Sequence, residues 1–273
     1  LISYSMFFIG FLDDLKINIK PSKRLLTMII ILFSLIYFLP IKILNIDIPF
    51  LINLMNIKFF SSVFVLLCFL FIINGANLID GFNGLLVINL IIINIVLAYI
   101  NLNSSNLEFS FLIISQIIIL LTFLLFNFPN AKIFFGDSGA YLMGSLVGLN
   151  SIITNNINPN ISSFFFCTLL FYLFFEVFFS FFRKIKENKS PIKPDDKHLH
   201  MLSYKYLTLT KPGKDCNYLN ALILNTIYSI LVLPSILVKE SGTLCKYWFF
   251  FLIIIYLVGY LRLNSFVKKK IDI

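Results

Sequence analysis

Long apolar runs recur along the whole chain and constrain its fold more than any other feature of the sequence. A helix needs about 20 apolar residues to cross a hydrocarbon core of about 30 Å. After a shorter apolar fragment at residues 1–12, eight runs reach or approach that length: residues 24–40, 59–79, 85–101, 110–128, 140–155, 161–182, 218–238 and 247–263. The pattern predicts an all-α polytopic membrane protein with about nine transmembrane helices, the first of them partial, in one integral membrane domain over residues 1–273.

The composition also indicates a membrane protein. Hydrophobic residues make up 59% of the chain and charged residues 13%, whereas soluble domains carry about 25% charged residues. The four cysteines lack any Cys-x-x-Cys spacing, so we interpret them as small buried hydrophobic residues rather than a disulfide or metal site. Because the chain starts without Met and its first run is too short to span a membrane, we expect further helices upstream of residue 1.

The basic residues are distributed very unevenly between the two sides of the predicted membrane. If every run crosses once, 18 of the 22 Lys and Arg fall on one side, and only Lys42, Lys58, Lys239 and Lys246 fall on the other. The positive-inside rule makes the first side cytoplasmic. The net charge of +9 is then explained by topology and contact with phospholipid, and nucleic acid is not predicted as a partner.

Four polar clusters, whose positions were not used to assign the sides, all fall on the cytoplasmic side. They are Asp13-Asp14, "NGANLIDGFNGL" at residues 74–85, "NFPNAKIFFGDSG" at residues 127–139 and "SPIKPDDKHLH" at residues 190–200. A single polar site assembled from four loops explains this distribution most simply.

Each cluster has a structural and a functional interpretation. Asp13 and Asp14 could cap a helix or serve a site, and the two residues alone do not decide between these interpretations. Asn77 and Asp80 share a helix face at a spacing of three residues, and a plain turn would not need that matched pair. A function is therefore favoured for the second cluster.

The third and fourth clusters indicate an anionic substrate. Asp137 lies between glycines where a new helix begins, so its carboxylate could bind Mg²⁺ while free helical N–H groups face phosphate oxygens. His198 and His200 are the only histidines and lie in a basic segment, which favours contact with an anion over a zinc site. Together the clusters predict transfer chemistry on a diphosphate at a membrane surface.

The ordered motifs "GFLDD", "NGANLIDGFNGL", "FPNAKIFFGDSGAYLMG" and "SPIKPDDKHLH" closely resemble the polyprenyl-phosphate N-acetylhexosamine-1-phosphate transferases. Within that family the chain resembles the WecA-like branch, because Ser-Pro and x-Pro-Asp precede a His-x-His element. The related MraY branch usually carries three consecutive histidines. The resemblance covers nearly the whole chain and implies a bundle of about 10–11 helices when complete.

The resemblance implies a reaction and its partners. A UDP-N-acetylhexosamine, with N-acetylglucosamine as the favoured sugar, would react with undecaprenyl phosphate to give undecaprenyl-diphospho-sugar and UMP, with Mg²⁺ or Mn²⁺ as cofactor. The enzyme would lie in the bacterial inner membrane with its site facing the cytoplasm, in contact with membrane lipids, and would initiate a cell-surface polysaccharide. Some relatives are dimers, so a homodimer is an open alternative.

The resemblance also implies roles for individual residues. Asp137 resembles the metal ligand. Asp13 and Asp14 resemble the acidic pair near the lipid phosphate, and Asp80 resembles a further catalytic carboxylate. The residues that resemble contacts of the nucleotide sugar and diphosphate are Asn77, Asn83, Asn127, Lys132, His198 and His200. Glu176 matches a further acidic position. Three residues depart from the usual pattern: Asn83 replaces a frequent Asp, Asp196 a frequent Arg and Met201 a frequent third His.

Two other classes of protein are compatible with the sequence. A transporter would place charged groups near the bilayer midplane on broken, repeated helices, whereas these clusters lie at one face without a clear repeat. The three departures also leave open an inactive homologue that only binds the lipid carrier.

Overall fold

The computed structural model describes residues 1–16, 19–39, 41–211 and 215–271. All regular secondary structure in these residues is helical. This part forms twelve α-helices and one short 3-10 helix. The helices are α1 (Ile2–Asp14), α2 (Pro21–Phe38), α3 (Pro49–Met55), α4 (Lys58–Ile79), α5 (Leu85–Asn103), α6 (Leu107–Asn127), α7 (Gly136–Ile157), α8 (Ser163–Leu169), α9 (Phe171–Lys186), α10 (Leu199–Thr210), α11 (Asn217–Val232), the 3-10 helix (Leu233–Val238) and α12 (Gly242–Ile271).

In the described part of the chain, six helices are long and apolar enough to cross a membrane: α2, α4, α5, α6, α11 with the 3-10 helix, and α12. The all-α polytopic membrane fold predicted from the sequence is therefore confirmed. Of the other predicted spans, 1–12 corresponds to α1, which has only 13 residues, and 140–155 corresponds to α7, which is long enough but less apolar. The count of nine stays a prediction.

The predicted span 161–182 is not one straight helix. Helices α8 and α9 meet at Leu170 with a bend of 78°, and the pair brings the number of candidate spans to seven if it crosses once. Pro40, the predicted end of the span 24–40, and Lys214, one of the basic residues counted on the cytoplasmic side, lie outside the described residues.

Small residues let α4 pack closely against two neighbours. A Cβ added at Gly75 of α4 would lie 2.0 Å from the backbone oxygen of Leu173 in α9, and one added at Gly144 of α7 would lie 2.9 Å from Cβ of Ala76. Such close backbone approach is typical of helices packed inside a membrane. Because α4 is held between α7 and α9, its last residues lie beside the first turn of α7.

Candidate active site

Asp137 lies at the first turn of α7, where helices α1, α4 and α7 meet. The carboxylate of Asp14, at the end of α1, accepts hydrogen bonds from the backbone N–H groups of Asp137 and Ser138, both at 2.9 Å. Gly136 begins the helix with a φ of +66°, a conformation that favours glycine. Two predicted site carboxylates from distant parts of the chain, Asp14 and Asp137, therefore lie together.

Arg24, near the start of α2, connects Asp137 to a third carboxylate, that of Asp13. Its Nη1 atom donates to Oδ2 of Asp13 and to Oδ2 of Asp137. From the sequence, Arg24 was expected only as one of the cytoplasmic charges and not as a site residue. One feature of the sequence could have indicated its role: Arg24 lies one turn into the helix that follows Asp13-Asp14. Because α2 is next to α1 in the chain and packs against it, Arg24 lies close to this pair.

The second cluster supplies Asn77 and Asp80 to the same place. Nδ2 of Asn77 donates to Oδ1 of Asp137 at 2.7 Å, so Asn77 fixes the carboxylate oxygen that Arg24 does not contact. Burial, together with the negative charges of Asp137 and Asp14, raises the pKa of Asp80 to about 7. A carboxyl group that titrates near neutral pH suits proton transfer or the binding of a cation.

The donor atoms at this site fit a magnesium ion better than a zinc ion. Within the described ranges, no three His, Cys, Asp or Glu residues converge as a ready-made metal cage. However, Asp13 and Asp137 each direct one oxygen at the same cationic atom of Arg24, so the site attracts positive charge. Mg²⁺ is commonly bound by one or two carboxylates together with substrate phosphates and water, and the residues present match that pattern.

Asn83 and Asn127 join two loops at the edge of the site. Oδ1 of Asn127 accepts from the backbone N–H of Gly84 at 2.7 Å, and its Nδ2 donates to the backbone oxygen of Ile133 at 2.9 Å. Nδ2 of Asn83 donates to the backbone oxygen of Pro129 at 2.8 Å. Lys132 is exposed on the same loop. The two amides have structural partners, and the contacts of all three residues with a nucleotide sugar stay predictions.

His198, in the fourth cluster, lies between two carboxylates. Its Nδ1 is 3.1 Å from Oε1 of Glu176, its Nε2 is 3.1 Å from Oδ1 of Asp195, and its side chain is 4% exposed. Glu176 also accepts from the backbone N–H of Leu199 at 3.1 Å and from the hydroxyl of Tyr256 at 2.7 Å. Glu176 was identified from the sequence, but these partners, which join α9, α10 and α12, were not.

Charged residues around His198 form further pairs. Arg183 donates to both oxygens of Asp195, at 2.6 and 3.1 Å. Although burial opposes its ionisation, the hydrogen bond from Arg183 keeps the pKa of Asp195 below its usual range. Two of the residues that depart from the usual family pattern lie here: Asp196 pairs with Lys205, and Met201 packs against the apolar core. The carboxylate at position 196 therefore has a cationic partner of its own.

His200 connects this cluster to the loop that carries Asp80. Its ring is parallel to that of His198, with centroids 5.5 Å apart, and lies edge-on to Phe82, with centroids 5.9 Å apart. Burial lowers the pKa of His200 to about 4, so the imidazole is neutral at pH 7. Both histidines are buried, and their predicted contact with an anionic substrate stays a prediction.

Comparison with known proteins covers the region that holds this site. Residues 1–155, more than half of the chain, match the sequence model of the family described as Glycosyl transferase family 4. The chain is 26% identical over 256 residues to the undecaprenyl-phosphate alpha-N-acetylglucosaminyl 1-phosphate transferase of Thermotoga maritima, which covers 93% of this chain and 72% of that protein. It is 30% identical over 154 residues to the phospho-N-acetylmuramoyl-pentapeptide-transferase of Clostridium perfringens, which covers 54% of this chain and 49% of that protein.

Proposed function

The chain belongs to glycosyl transferase family 4, and from this premise we propose that it transfers N-acetylglucosamine-1-phosphate from a UDP-sugar to undecaprenyl phosphate. The products are undecaprenyl-diphospho-N-acetylglucosamine and UMP, which makes the enzyme a phosphotransferase. The observation that carries the proposal is the convergence of Asp13, Asp137 and Arg24 on one point at the ends of three helices. The name of the Thermotoga maritima relative, similar over most of this chain, supports the choice of donor and acceptor.

The proposed reaction is a displacement at phosphorus. An oxygen of the lipid phosphate attacks the β-phosphorus of the UDP-sugar, the bond from that phosphorus to the oxygen bridging to the α-phosphate breaks, and UMP leaves with the electron pair. A phosphate monoester has a second pKa of about 6, so the nucleophile is mostly ionised at neutral pH without a strong base. The protein therefore has mainly to position the two phosphates and stabilise their charge.

The residues of the site have different roles in positioning the phosphates and stabilising their charge. Asp13 and Asp137 would hold Mg²⁺ or Mn²⁺, which when bound neutralises the diphosphate and the leaving phosphate. Arg24 adds a guanidinium that can contact phosphate oxygens in the same place, and Asn77 keeps the Asp137 carboxylate oriented. Asp80, with its pKa near 7, is available to bind the cation or to exchange a proton with the acceptor phosphate.

An apolar cavity of about 420 Å³ supports a lipid acceptor. It is lined by α3, α4, α7, α8 and α9 and by the segment before α3, and its lining residues Phe71 and Ile72 lie less than two turns before Asn77 in α4. A polyprenyl chain in this cavity would direct its phosphate towards the end of α4. The distribution of Lys and Arg supports a site on the cytoplasmic face of the bacterial inner membrane. In this proposal membrane lipids surround the helices, and the product initiates a cell-surface polysaccharide.

The test is UMP release by the purified protein with UDP-N-acetylglucosamine, Mg²⁺ and undecaprenyl phosphate. The proposal predicts release only when the lipid phosphate is present, and slower release with UDP-N-acetylgalactosamine. A transporter is not favoured, because the carboxylates gather at helix ends, and it would release no UMP under any of these conditions. An inactive homologue that binds the lipid carrier would likewise give no lipid-dependent UMP.

A further inference from the structure

Asp13 and Asp14 are adjacent in the chain but make contacts of different kinds. Asp13 contacts the guanidinium of Arg24, which it shares with Asp137, whereas Asp14 contacts only backbone N–H groups of α7 among the hydrogen bonds of the described residues. We propose that Asp14 is a positioning residue that fixes the first turn of α7, and with it Asp137, while Asp13 faces the reacting phosphates. The inference rests on the proposed function for the identity of the metal and the reaction.

The contact between Asp14 and α7 has the geometry of a helix cap supplied by another helix. A side chain that precedes a helix usually accepts hydrogen bonds from its first N–H groups. The residue in that position here is Phe135, which offers no such acceptor, and Asp14, 123 residues before Asp137, takes its place. Both carboxylate oxygens are used, and the negative charge faces the positive end of the helix.

Two glycines make this cap possible. A Cβ added at Gly136 would lie 2.8 and 2.9 Å from the two carboxylate oxygens of Asp14, and the φ of +66° at this position already disfavours other residues. A Cβ added at Gly10 would lie 2.5 Å from the backbone of Asp137 and Ser138. Because both close approaches involve the first turn of α7, the end of α1 and this turn are closely packed at the cap.

The direction of the Asp137 carboxylate depends on this turn. Its backbone N–H is held by Asp14, and its side chain reaches Arg24 and Asn77 from that fixed point. A shift of the backbone would separate Asp137 from Asp13, so that the two no longer converge on one cation. Residues that orient metal ligands in this way typically change metal affinity or activity by 10- to 100-fold when replaced.

Replacement of Asp14 should therefore have two effects. In Asp14→Asn the amide keeps the shape of the side chain but offers one acceptor instead of two, and it loses the charge. Hydrogen exchange in the peptide 136–141 should rise about tenfold or more, because one of two charge-assisted hydrogen bonds is lost and the other is weakened. The dissociation constant for Mn²⁺, measured by electron paramagnetic resonance, should rise about 10- to 100-fold.

Gly136→Ala provides a second, independent way to disturb the cap. The added methyl group would push against the Asp14 carboxylate, so this variant should reproduce both effects. The double variant Asp14→Asn/Gly136→Ala should be no worse than the single variants, because both remove the same interaction. Gly259→Ala is the matched control, since an added Cβ there meets nothing within 4 Å and the residue lies in α12.

The experiment compares hydrogen exchange, Mn²⁺ binding and transfer in the purified full chain and these variants. Asp13→Asn should leave the exchange of 136–141 unchanged, because Asp13 makes no hydrogen bond to α7 backbone among the described contacts. Unchanged exchange in Asp14→Asn, or unchanged Mn²⁺ affinity alongside lost transfer, would overturn the positioning role. If the wild type lacks transfer while Asp14→Asn still shows both effects, the proposed function fails and the positioning role stands.

Discussion

Oε1 of Glu176 in α9 lies 3.1 Å from Nδ1 of His198, the residue before α10, and the side chain of Glu176 is 1% exposed. The other ring nitrogen of His198 faces Asp195, and a carboxylate oxygen can only accept a hydrogen bond. The imidazole of His198 is therefore held between two carboxylates, one on each ring nitrogen. This buried group holds the segment with the two histidines against α9, beside the loop that carries Asp80.

Glu176→Ala should destabilise the protein strongly. It would leave His198, the N–H of Leu199 and the hydroxyl of Tyr256 without their shared acceptor, and each buried unpaired group costs about 1–3 kcal/mol. Glu176→Gln keeps an acceptor oxygen and should lose less. Thermal unfolding in detergent measures the difference, with Glu108→Gln at the exposed start of α6 as control. Equal stability of Glu176→Ala and wild type would contradict this account of Glu176.

Arg24→Gln should reduce transfer by about a hundredfold, because removing one member of a hydrogen-bonded charge cluster costs about 2–5 kcal/mol. Arg24→Lys should retain more activity, since the charge remains, but less than wild type, since one ammonium group cannot reproduce the guanidinium geometry. The measurement is kcat/KM for the UDP-sugar. Lys23→Gln, at the exposed neighbouring position, is the control and should behave as wild type. Full activity of Arg24→Gln would exclude Arg24 from the site.

Asp137→Asn should abolish metal-dependent transfer, because the oxygen that Asp137 now directs at Arg24 would be the one offered to the metal, and an amide cannot supply that charge. Initial rates over a range of Mg²⁺ and Mn²⁺ concentrations test this expectation. Asp215→Asn, an exposed carboxylate at the start of α11, provides a matched control. Turnover with the wild-type dependence on metal in Asp137→Asn would remove Asp137 from the role of metal ligand.

Stability should fall as pH is lowered from about 6.5 towards 4, in part because of His200. Its pKa of about 4 in the folded protein lies below its ordinary value of 6.5, so the unfolded chain takes up the proton first. Between pH 7 and 5 this group alone would lower the free energy of unfolding by about 2 kcal/mol. In His200→Gln the loss over this interval should be smaller by that amount. Equal losses in variant and wild type would contradict a buried neutral His200.

The sequence was sufficient to predict most helices and the meeting of Asp13-Asp14, Asn77 and Asp137. Apolar runs mark the helices, and the alternation of charge places their polar ends on one side. The break between α8 and α9 was not predicted, because the run 161–182 is mostly apolar and contains neither Gly nor Pro.

The partners of individual side chains were harder to predict. Arg24 carries no motif, and its role depends on how α2 returns alongside α1. Likewise, His198 was assigned to an anionic substrate because lysines surround it in the sequence, whereas its ring nitrogens face Glu176 and Asp195. Packing between helices that are far apart in the sequence decides the contacts of Arg24 with Asp137 and of His198 with Glu176, and local patterns do not encode it.

The most direct test of the central claim follows the β-phosphorus of the donor. The purified protein would be incubated with UDP-N-acetylglucosamine labelled with ³²P at the β-phosphate, undecaprenyl phosphate and Mg²⁺. Transfer of sugar-1-phosphate predicts that the label moves into the lipid fraction, with one unlabelled UMP released for each labelled lipid. Label that stays in UDP while the sugar alone is transferred, or label that never enters the lipid, would contradict the account.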